Sequence, residues 1–552
     1  MFAQQESSTW YFGFGAGLKF DLDNESLTTL NDGKLSTDEG CASVSDQDGN
    51  LLFYTDGVTV WNKDHNIMLN GEDLLGDRTS TQTAIVPQPN NSDIYYIFTL
   101  DNYNRNPNIP SYGFNYSIVD MSIDDGLGGI DLNNKNINIL PYCSEKVAAT
   151  FDCRTGEIWV LTFSTESGER GQYNTFWAFK IDDYGLDVSN PVKSTFNFNP
   201  ILFDARGYLK IAPDGNKLAI ANNSENSLFL FDFNVFNGKV TNKQQLLLNS
   251  QSVYPYGVEF SPNSQFLYVS SSNDEDPNSN DDSDLYYTVI TQFDLNENNI
   301  QDSETVIDQS QLLRGALQLG PDGKIYKALS KTWIEGVPYL DVINNPDAKG
   351  LACDYQRKSV NLDPYNSYQG LPPLIPVLYN QRTQISINGE SVDSVILCEG
   401  ETYLITTIDI PGAIYKWYLN GQILPESNFD LLISEIGFYE VYVDPNNGDC
   451  PLRGSLTVTC EISETISIPK FFTPNNDNYN DFWKVMTNMP DLLSNAGIHI
   501  FDRYGKLLKQ LDPFGRGWDG TYKNNPMPSD DYWYVVELLD GRIFKGHFTL
   551  KR

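Results

Sequence analysis

Apolar and polar residues alternate with a period of two along most of this chain, and Gly, Asn, Asp and Pro break the alternation every few residues. That pattern predicts short half-buried strands joined by tight turns, and no long helical period competes with it. One unit recurs: an apolar strand, a turn of the Pro-Asp-Gly type, then a second strong apolar strand. It reads SVSDQDGNLLFYTD from Ser43, AIVPQPNNSDIYYIF from Ala84 and AATFDCRTGEIWVLTF from Ala148. It returns as LKIAPDGNKLAIAN from Leu209, VEFSPNSQFLYVSS from Val258 and LQLGPDGKIYKALS from Leu317. The turns fall roughly 40 to 65 residues apart, the length of a four-stranded blade with its loops. Third strands such as VTVWN, NTFWAFKID and LFLFDF follow several copies. A seventh blade is expected from the two ends of the region, with outer strands from Tyr11 to Leu22 and an inner strand from Gly370 to Leu378. The expected fold is all-β: a seven-bladed β-propeller over residues 8–380, with six or eight blades as the alternatives.

Residues 385–460 change character. LCEGETYLITT, YKWYLNGQIL and GFYEVYVDPNNGDC are short alternating strands, with Trp417 between Cys398 and Cys450. Cys, Trp and Cys in that order resemble a minimal immunoglobulin-like sandwich, which implies a Cys398–Cys450 bridge. A spacer role is the plain reading of such a module.

The last ninety or so residues carry the most specific motif. FFTPNNDNYNDFW runs from Phe471 to Trp483. Pro474 pushes Thr473 towards an extended conformation and ends a strand. Short polar side chains then build a compact turn, and Phe471, Phe472, Phe482 and Trp483 are expected to clamp it onto a core. IHIFDRYGKLL, GWDGTYKN and the final FKGHFTLKR follow as strands and hairpin turns of a small β-sandwich. TPNNDNYNDFW resembles the TPNGDGxND motif of the gliding-motility-associated, type B C-terminal sorting domain of type IX secretion cargo from Bacteroidetes, over residues 467–552. Asn476 and Tyr479 stand where that family commonly has Gly and a small residue, so a slightly different turn is expected. The resemblance implies export across the outer membrane and recognition by an outer-membrane shuttle and the translocon. It also implies a partner membrane protein of the gliding-motility kind. The residues it marks for recognition are Phe472, Thr473, Pro474, Asn475, Asp477, Asn480, Asp481, Tyr504, Gly505, Trp518, Asp519, Gly520, Lys545 and Gly546. The propeller region more loosely resembles the N-terminal part of such cargo, which carries no agreed activity.

Charge sharpens this division. The chain has 37 basic and 73 acidic residues, net −36. Residues 461–552 hold 12 acidic and 11 basic side chains, so nearly all the excess lies ahead of them. Such a surface repels nucleic acid and anionic lipid, whereas the near-neutral tail suits docking on protein. Phe2-Ala3-Gln4-Gln5 resembles the end of a signal peptide and the start of a mature chain, so cleavage on export is expected. No stretch is apolar for the roughly 18 residues a membrane helix needs.

Candidate chemistry is sparse. His65, His499 and His547 are the three histidines, too few for a histidine-based centre in the propeller. Acidic pairs are too common to be informative without geometry, which leaves a carboxylate-dependent polysaccharide-acting enzyme as the alternative function. Asp274, Asp276, Asn278, Asn280, Asp282 and Asp284 place oxygens at alternate positions of one loop. They form either a calcium site or a solvated insertion, and the Asn475–Asp481 turn offers oxygens as well. Tyr254, Tyr256, Trp333, Tyr339, Tyr365 and Tyr368 fall near expected blade tops and are candidates for a glycan- or peptide-binding face, against core packing as the plain reading. Cys143 and Cys153 are expected to bridge across a short loop, and Cys41 with Cys353 is a weaker pairing. The expected function is a secreted cell-surface binding or adhesion protein, with a structural subunit of the secretion or gliding apparatus as a third reading.

Overall fold

A computed structural model describes residues 4–552 apart from 23, 103–110, 200–201, 203–205, 251, 274–284, 333–334, 376–382, 393, 398–399, 447–450, 461–465, 478, 489 and 495. Among them, strands dominate and the only helices are short 3-10 turns.

Seven antiparallel sheets follow one another between Thr9 and Asn361, each with its strands in chain order. Their innermost strands are Thr9–Phe12, Ala42–Ser45, Ala84–Gln88, Val147–Phe151, Leu209–Ile211, Tyr254–Phe260 and Leu317–Leu319. Each of these touches the next. The fourth to seventh sheets have four strands, the first two have three, and in the third both Gly129–Ile130 and Ile137–Leu140 pair with Phe114–Asp120. The alternating apolar residues of facing sheets interlock. Leu161, Phe163, Phe176, Leu218, Phe229 and Phe231, for example, make one cluster between the fourth and fifth sheets.

The first and seventh sheets close on each other, but not as expected. Residues 370–375 form no strand, and the first sheet is complete from Thr9–Phe12, Ala16–Asp21 and Ser26–Leu30 alone. Trp10 and Phe20 instead meet the Tyr326 ring edge-on, each at 5.5 Å. The backbone of Gln369 donates to Asp38 and accepts from Ala316, so one residue ties the second sheet's entry to the seventh. Gly370 is required here: a Cβ would stand 1.6 Å from the Glu39 carbonyl oxygen.

Two further cores are separate. Between Ser386 and Thr459, a four-stranded and a five-stranded sheet pack around fully buried Trp417, whose Nε1 donates to the Asn428 carbonyl at 2.9 Å. From Ile466 onward, a five-stranded sheet has the order Phe471–Phe472, Ile543–Leu550, Asp530–Glu537, Gly497–Phe501, Leu507–Leu511. Its core gathers Phe472, Trp483, Trp518, Tyr532 and Phe548. This sheet, antiparallel except where Phe471–Phe472 runs parallel to Ile543–Leu550, is accompanied by two two-stranded ribbons.

The Cys143–Cys153 bridge is not formed: Cys143 is a buried free thiol. The two residues flank the strand Val147–Phe151, not a loop, and its five residues hold them far beyond the 7 Å that a disulfide spans. Cys41 and Cys353 are also free and buried, in different clusters. Cys398 and Cys450 lie outside the described residues.

Candidate functional site

The sorting motif folds into a turn that satisfies itself. The Thr473 N–H donates to the Asn480 carbonyl at 2.8 Å and closes the loop. Inside it, Asp481 is buried, and its Oδ1 accepts the N–H groups of Asn475 at 2.9 Å and Asn476 at 2.7 Å. Asp477 accepts from the Tyr479 N–H at 2.7 Å and from Asn475 Nδ2 at 2.8 Å. Asn476 and Asn480 have φ of 63° and 53°, the left-handed region that asparagine tolerates better than other side chains. Asn476 thus takes a conformation that a glycine there would also favour. Local hydrogen bonds occupy the carboxylates on which a calcium reading of this turn rests. Among the described residues, no three His, Cys, Asp or Glu side chains gather as a metal site. The other calcium candidate, Asp274 to Asp284, lies outside the described residues.

The aromatic clamp is half of what the sequence predicts. Phe472 and Trp483 are buried, whereas Phe471 and Phe482 face solvent. Trp483 and Trp518 exchange backbone hydrogen bonds, both at 2.9 Å, so the turn is tied to the GWDG segment. Trp483 stacks on Phe548 with centroids 4.3 Å apart. Asp519 caps the Thr521 N–H and hydroxyl at 3.0 and 2.8 Å. Gly520, at φ 75°, lets its loop pass Leu550, and Gly546 makes room for the Tyr534 hydroxyl, 2.5 Å from where a Cβ would sit. Lys545 is exposed, and Tyr504 is 87% exposed at a turn where Gly505 has φ 80°. The marked residues therefore divide. Phe472, Asp481, Trp518, Gly520 and Gly546 build the fold. Pro474 is half-buried at the turn's entry, and Asn475, Asp477, Asn480, Tyr504 and Lys545 present a surface. The Tyr504 turn lies in the hairpin at the sheet edge opposite Phe471–Phe472, so it is not brought beside the sorting turn.

Where the inner strands of the seven sheets converge, charged groups are buried that the sequence did not single out. Lys210 donates to Glu259 Oε2 at 2.8 Å and to Gln318, and Glu259 also accepts the Leu319 N–H at 3.0 Å. These side chains line a cavity of about 20 Å³ together with Gln82, Pro373 and Leu374, room for about one water. Glu145 accepts from the Thr81 N–H at 2.9 Å and its hydroxyl at 2.6 Å, and Lys146 donates to the carbonyls of Gly207 and Ala221. Arg314 lies over the Tyr256 ring at 4.2 Å, with Glu39 3.8 Å from its guanidinium. Burial and the Glu145 carboxylate push the Glu39 pKa up, against the pull of Arg314 and Arg206. Lys210 and Glu259 each sit within an apolar strand near its turn, and Glu39, Glu145, Lys146 and Arg314 stand shortly ahead of one, positions that in sequence read as exposed charges beside turns.

His65 also joins a network. Its Nδ1 lies 3.1 Å from the Tyr54 hydroxyl and its Nε2 3.3 Å from Asp32, which accepts the Tyr11 hydroxyl at 2.7 Å. Burial pushes both tyrosine pKa values up, so these rings are hydrogen-bond donors rather than ready phenolates. Of the expected binding aromatics, Tyr256 and Tyr368 are buried, Tyr254, Tyr339 and Tyr365 are half-buried, and Trp333 lies outside the described residues.

With this geometry in hand, one comparison is decisive for the C-terminal region. Residues 466–550 match the CHU_C type IX secretion signal domain. That region is therefore a type IX secretion signal, which indicates export across the outer membrane to the cell surface or extracellular space and implies interaction with the secretion machinery. No curated protein matches the chain. Among solved structures, two putative 6-phosphogluconolactonases are similar at TM-scores of 0.38 and 0.37. The first, from Bacteroides fragilis NCTC 9343, is 12% identical and the match covers 66% of this chain and 96% of that one. The second, from Bacteroides uniformis ATCC 8492, is 11% identical, with 64% and 96% covered. The β-propeller domain of Myceliophteria thermophila Cps50 (Swd1) gives a TM-score of 0.31 at 11% identity, over 59% and 95%. At those scores the likeness carries no argument about activity.

Proposed function

We propose that the cargo is a surface binding or adhesion protein built from three units. Residues 8–380 form a seven-bladed β-propeller that does the binding. Residues 385–460 form an immunoglobulin-like spacer, and residues 467–552 form a type B sorting domain. The observation that carries this reading is the independence of the C-terminal core. Every residue of that cluster falls between Ile466 and Leu550, and none comes from the ring of sheets. A folded unit with its own aromatic core and an exposed polar turn is suited to being read by other proteins while its passenger varies. The surface residues Asn475, Asp477, Asn480, Tyr504 and Lys545 are the proposed contacts with the shuttle and translocon. A gliding-type membrane partner then holds the protein at the surface. The Tyr439 hydroxyl, which donates to the Glu435 carbonyl four residues upstream at 3.0 Å, supports the immunoglobulin-like reading of the middle unit.

Deleting residues 467–552 tests the address. The truncated protein should fold and stay in the periplasm; normal surface display of it would refute the assignment. One observation favours the carboxylate-dependent enzyme as a second reading: Glu39 and Glu145 are both buried where the strands converge, and the Glu145 charge helps hold the Glu39 pKa up. Both are almost fully buried, so substrate reaches them only if the structure around them opens. Turnover of a polysaccharide that Glu145→Gln abolishes would establish that reading.

A further inference from the structure

The last strand of the seventh sheet, Tyr355–Asn361, is an edge: among the described residues it pairs with Tyr339–Ile343 alone, and only its Val360 is buried. The chain does not leave the ring there. It turns back across the junction of the seventh and first sheets. The Leu362 N–H donates to the Pro338 carbonyl at 2.9 Å, Val337 and Ser367 exchange backbone hydrogen bonds at 3.2 and 2.8 Å, and the Phe14 N–H donates to the Asn366 carbonyl at 3.1 Å. The Tyr368 ring meets Phe14 edge-on at 4.4 Å. Every residue from Ser367 to Pro372 is buried. Gln369 Oε1 accepts from Arg314 Nε at 3.2 Å, beside the seventh sheet. Leu371 joins a cluster that includes Trp10, Tyr54, Ala219, Val258 and Tyr326. Pro373 and Leu374 line the small cavity with Ala149, Ile211, Glu259 and Leu319, and Ile375 packs on the cluster shared by the third and fourth sheets. Within seven residues the chain thus passes from the seventh sheet to the opposite side of the ring, so it crosses the bore. Pro372 and Pro373 have no N–H to satisfy, which suits a crossing made without strand pairing.

The chain runs on from Ile375 towards the middle unit, so a pull on the C-terminal part reaches the ring through this segment. We propose that residues 369–375 are a load-bearing anchor, which takes tension from the surface-held end in the bore of the ring and keeps it off the exposed edge strand. If the chain left the ring at Asn361, a pull would strip Tyr355–Asn361 from Tyr339–Ile343 one hydrogen bond at a time. Drawing the segment out of the bore is a different event. The backbone bonds of Gln369 to Asp38 and Ala316, its side-chain bond to Arg314 and the packing of Leu371, Leu374 and Ile375 must fail together, against several sheets at once. Gly370 lets the segment lie close enough for this, against the Glu39 carbonyl. The inference rests on the binding reading above, because only a molecule gripped at both ends carries tension. It adds the route by which a grip on the ring is transmitted to the sorting unit.

Single-molecule force spectroscopy on the full chain tests this. The load is applied between the C terminus and Tyr184→Cys, at a turn of the fourth sheet where Tyr184 is 99% exposed, in a Cys460→Ser background because that thiol is exposed too. The parent chain should open its ring without a short first step. Leu371→Ala/Leu374→Ala should add an early step, at less than half the force of ring opening, that frees residues 355–375, about 70 Å of chain at ~3.4 Å per residue. The steps of the two smaller units are several times longer and are told apart by length. Leu230→Ala, which truncates another buried leucine of the same cluster, should lower the melting temperature of the ring without creating the short step. Should the double variant fail to fold, Leu374→Ala alone, at a half-buried position, should show the same early step. A short step already present in the parent chain would overturn the proposal, as would identical traces from the Leu230 and Leu371/Leu374 variants. Attachment of cells tests the binding reading separately. If cells lacking the whole protein detach while the force traces show no early step in either variant, the protein is a surface binder and the segment is not its anchor.

Discussion

The ring of sheets and the C-terminal unit solve the same packing problem with opposite chemistry. At the convergence of the ring's inner strands the molecule buries ionisable groups: Lys210 against Glu259, Glu145 under Thr81, and Arg314 beside a Glu39 carboxyl that burial keeps protonated. The C-terminal unit buries aromatic rings instead, with Trp483, Trp518, Tyr532 and Phe548 in mutual contact. Its charged groups stay on the surface or, like Asp481, cap backbone N–H groups. A buried ion pair holds sheets in one arrangement but collapses if either partner is lost. An aromatic core is non-directional and closes within one short segment. The first suits a ring assembled from distant parts of the chain. The second suits a unit that must fold with any passenger ahead of it.

The sharpest way to break the comparison is to remove one charge from the ring. Lys210→Met leaves Glu259 buried without its cation and should destabilise the ring by about 3–5 kcal/mol, read by urea denaturation. Lys210→Met/Glu259→Leu should recover much of that loss, because no lone charge remains. In the C-terminal unit, Trp518→Ala removes a fully buried indole and should cost roughly 3–5 kcal/mol in that unit's transition alone. If the ring's transition moved with it, the two cores would not be independent.

A pH series sharpens the contrast further. Glu39 has its pKa raised to about 8 from an ordinary value of 4.5, because burial and Glu145 disfavour its charge. The folded state therefore keeps a proton that the unfolded chain releases. Below about 4.5 both forms are protonated and the group contributes no slope; between 4.5 and 8 its contribution to stability falls as pH rises. Glu39→Gln should remove this slope, so the variant gains on wild type as pH rises from 5 to 8. The smallest stability effect is expected at the exposed Tyr504, where Tyr504→Ala should stay within about 0.5 kcal/mol and yet lower the yield of surface protein.

Much of this was legible in the sequence, for identifiable reasons. The apolar hairpins read correctly because period-two alternation and turn residues are local signals. The sorting turn read correctly because Thr473-Pro474 and a run of Asn and Asp leave few other conformations. What stayed hidden depends on residues far apart in the chain. Lys210 and Glu259 each look like a solvated charge beside a turn, and only the convergence of inner strands makes them a pair. Cys143 and Cys153 look like the ends of a loop until the residues between them pair as a strand with Ile158–Ser164. Phe471 and Phe482 look like core residues because aromatic composition does not say which face a side chain takes. The ring closure was misplaced because Gln369 and Gly370 act through backbone contacts, which leave no hydrophobic pattern.

The central claim is that the last unit is an export address that folds and is read independently of what precedes it. Fusing residues 461–552 behind a periplasmic reporter, in cells with a working type IX system, and measuring surface-exposed reporter by protease accessibility tests it most directly. The account predicts reporter at the cell surface, reduced to background by Asp481→Ala within the fused segment. Reporter that remains in the periplasm while the full-length protein is exported normally would contradict it.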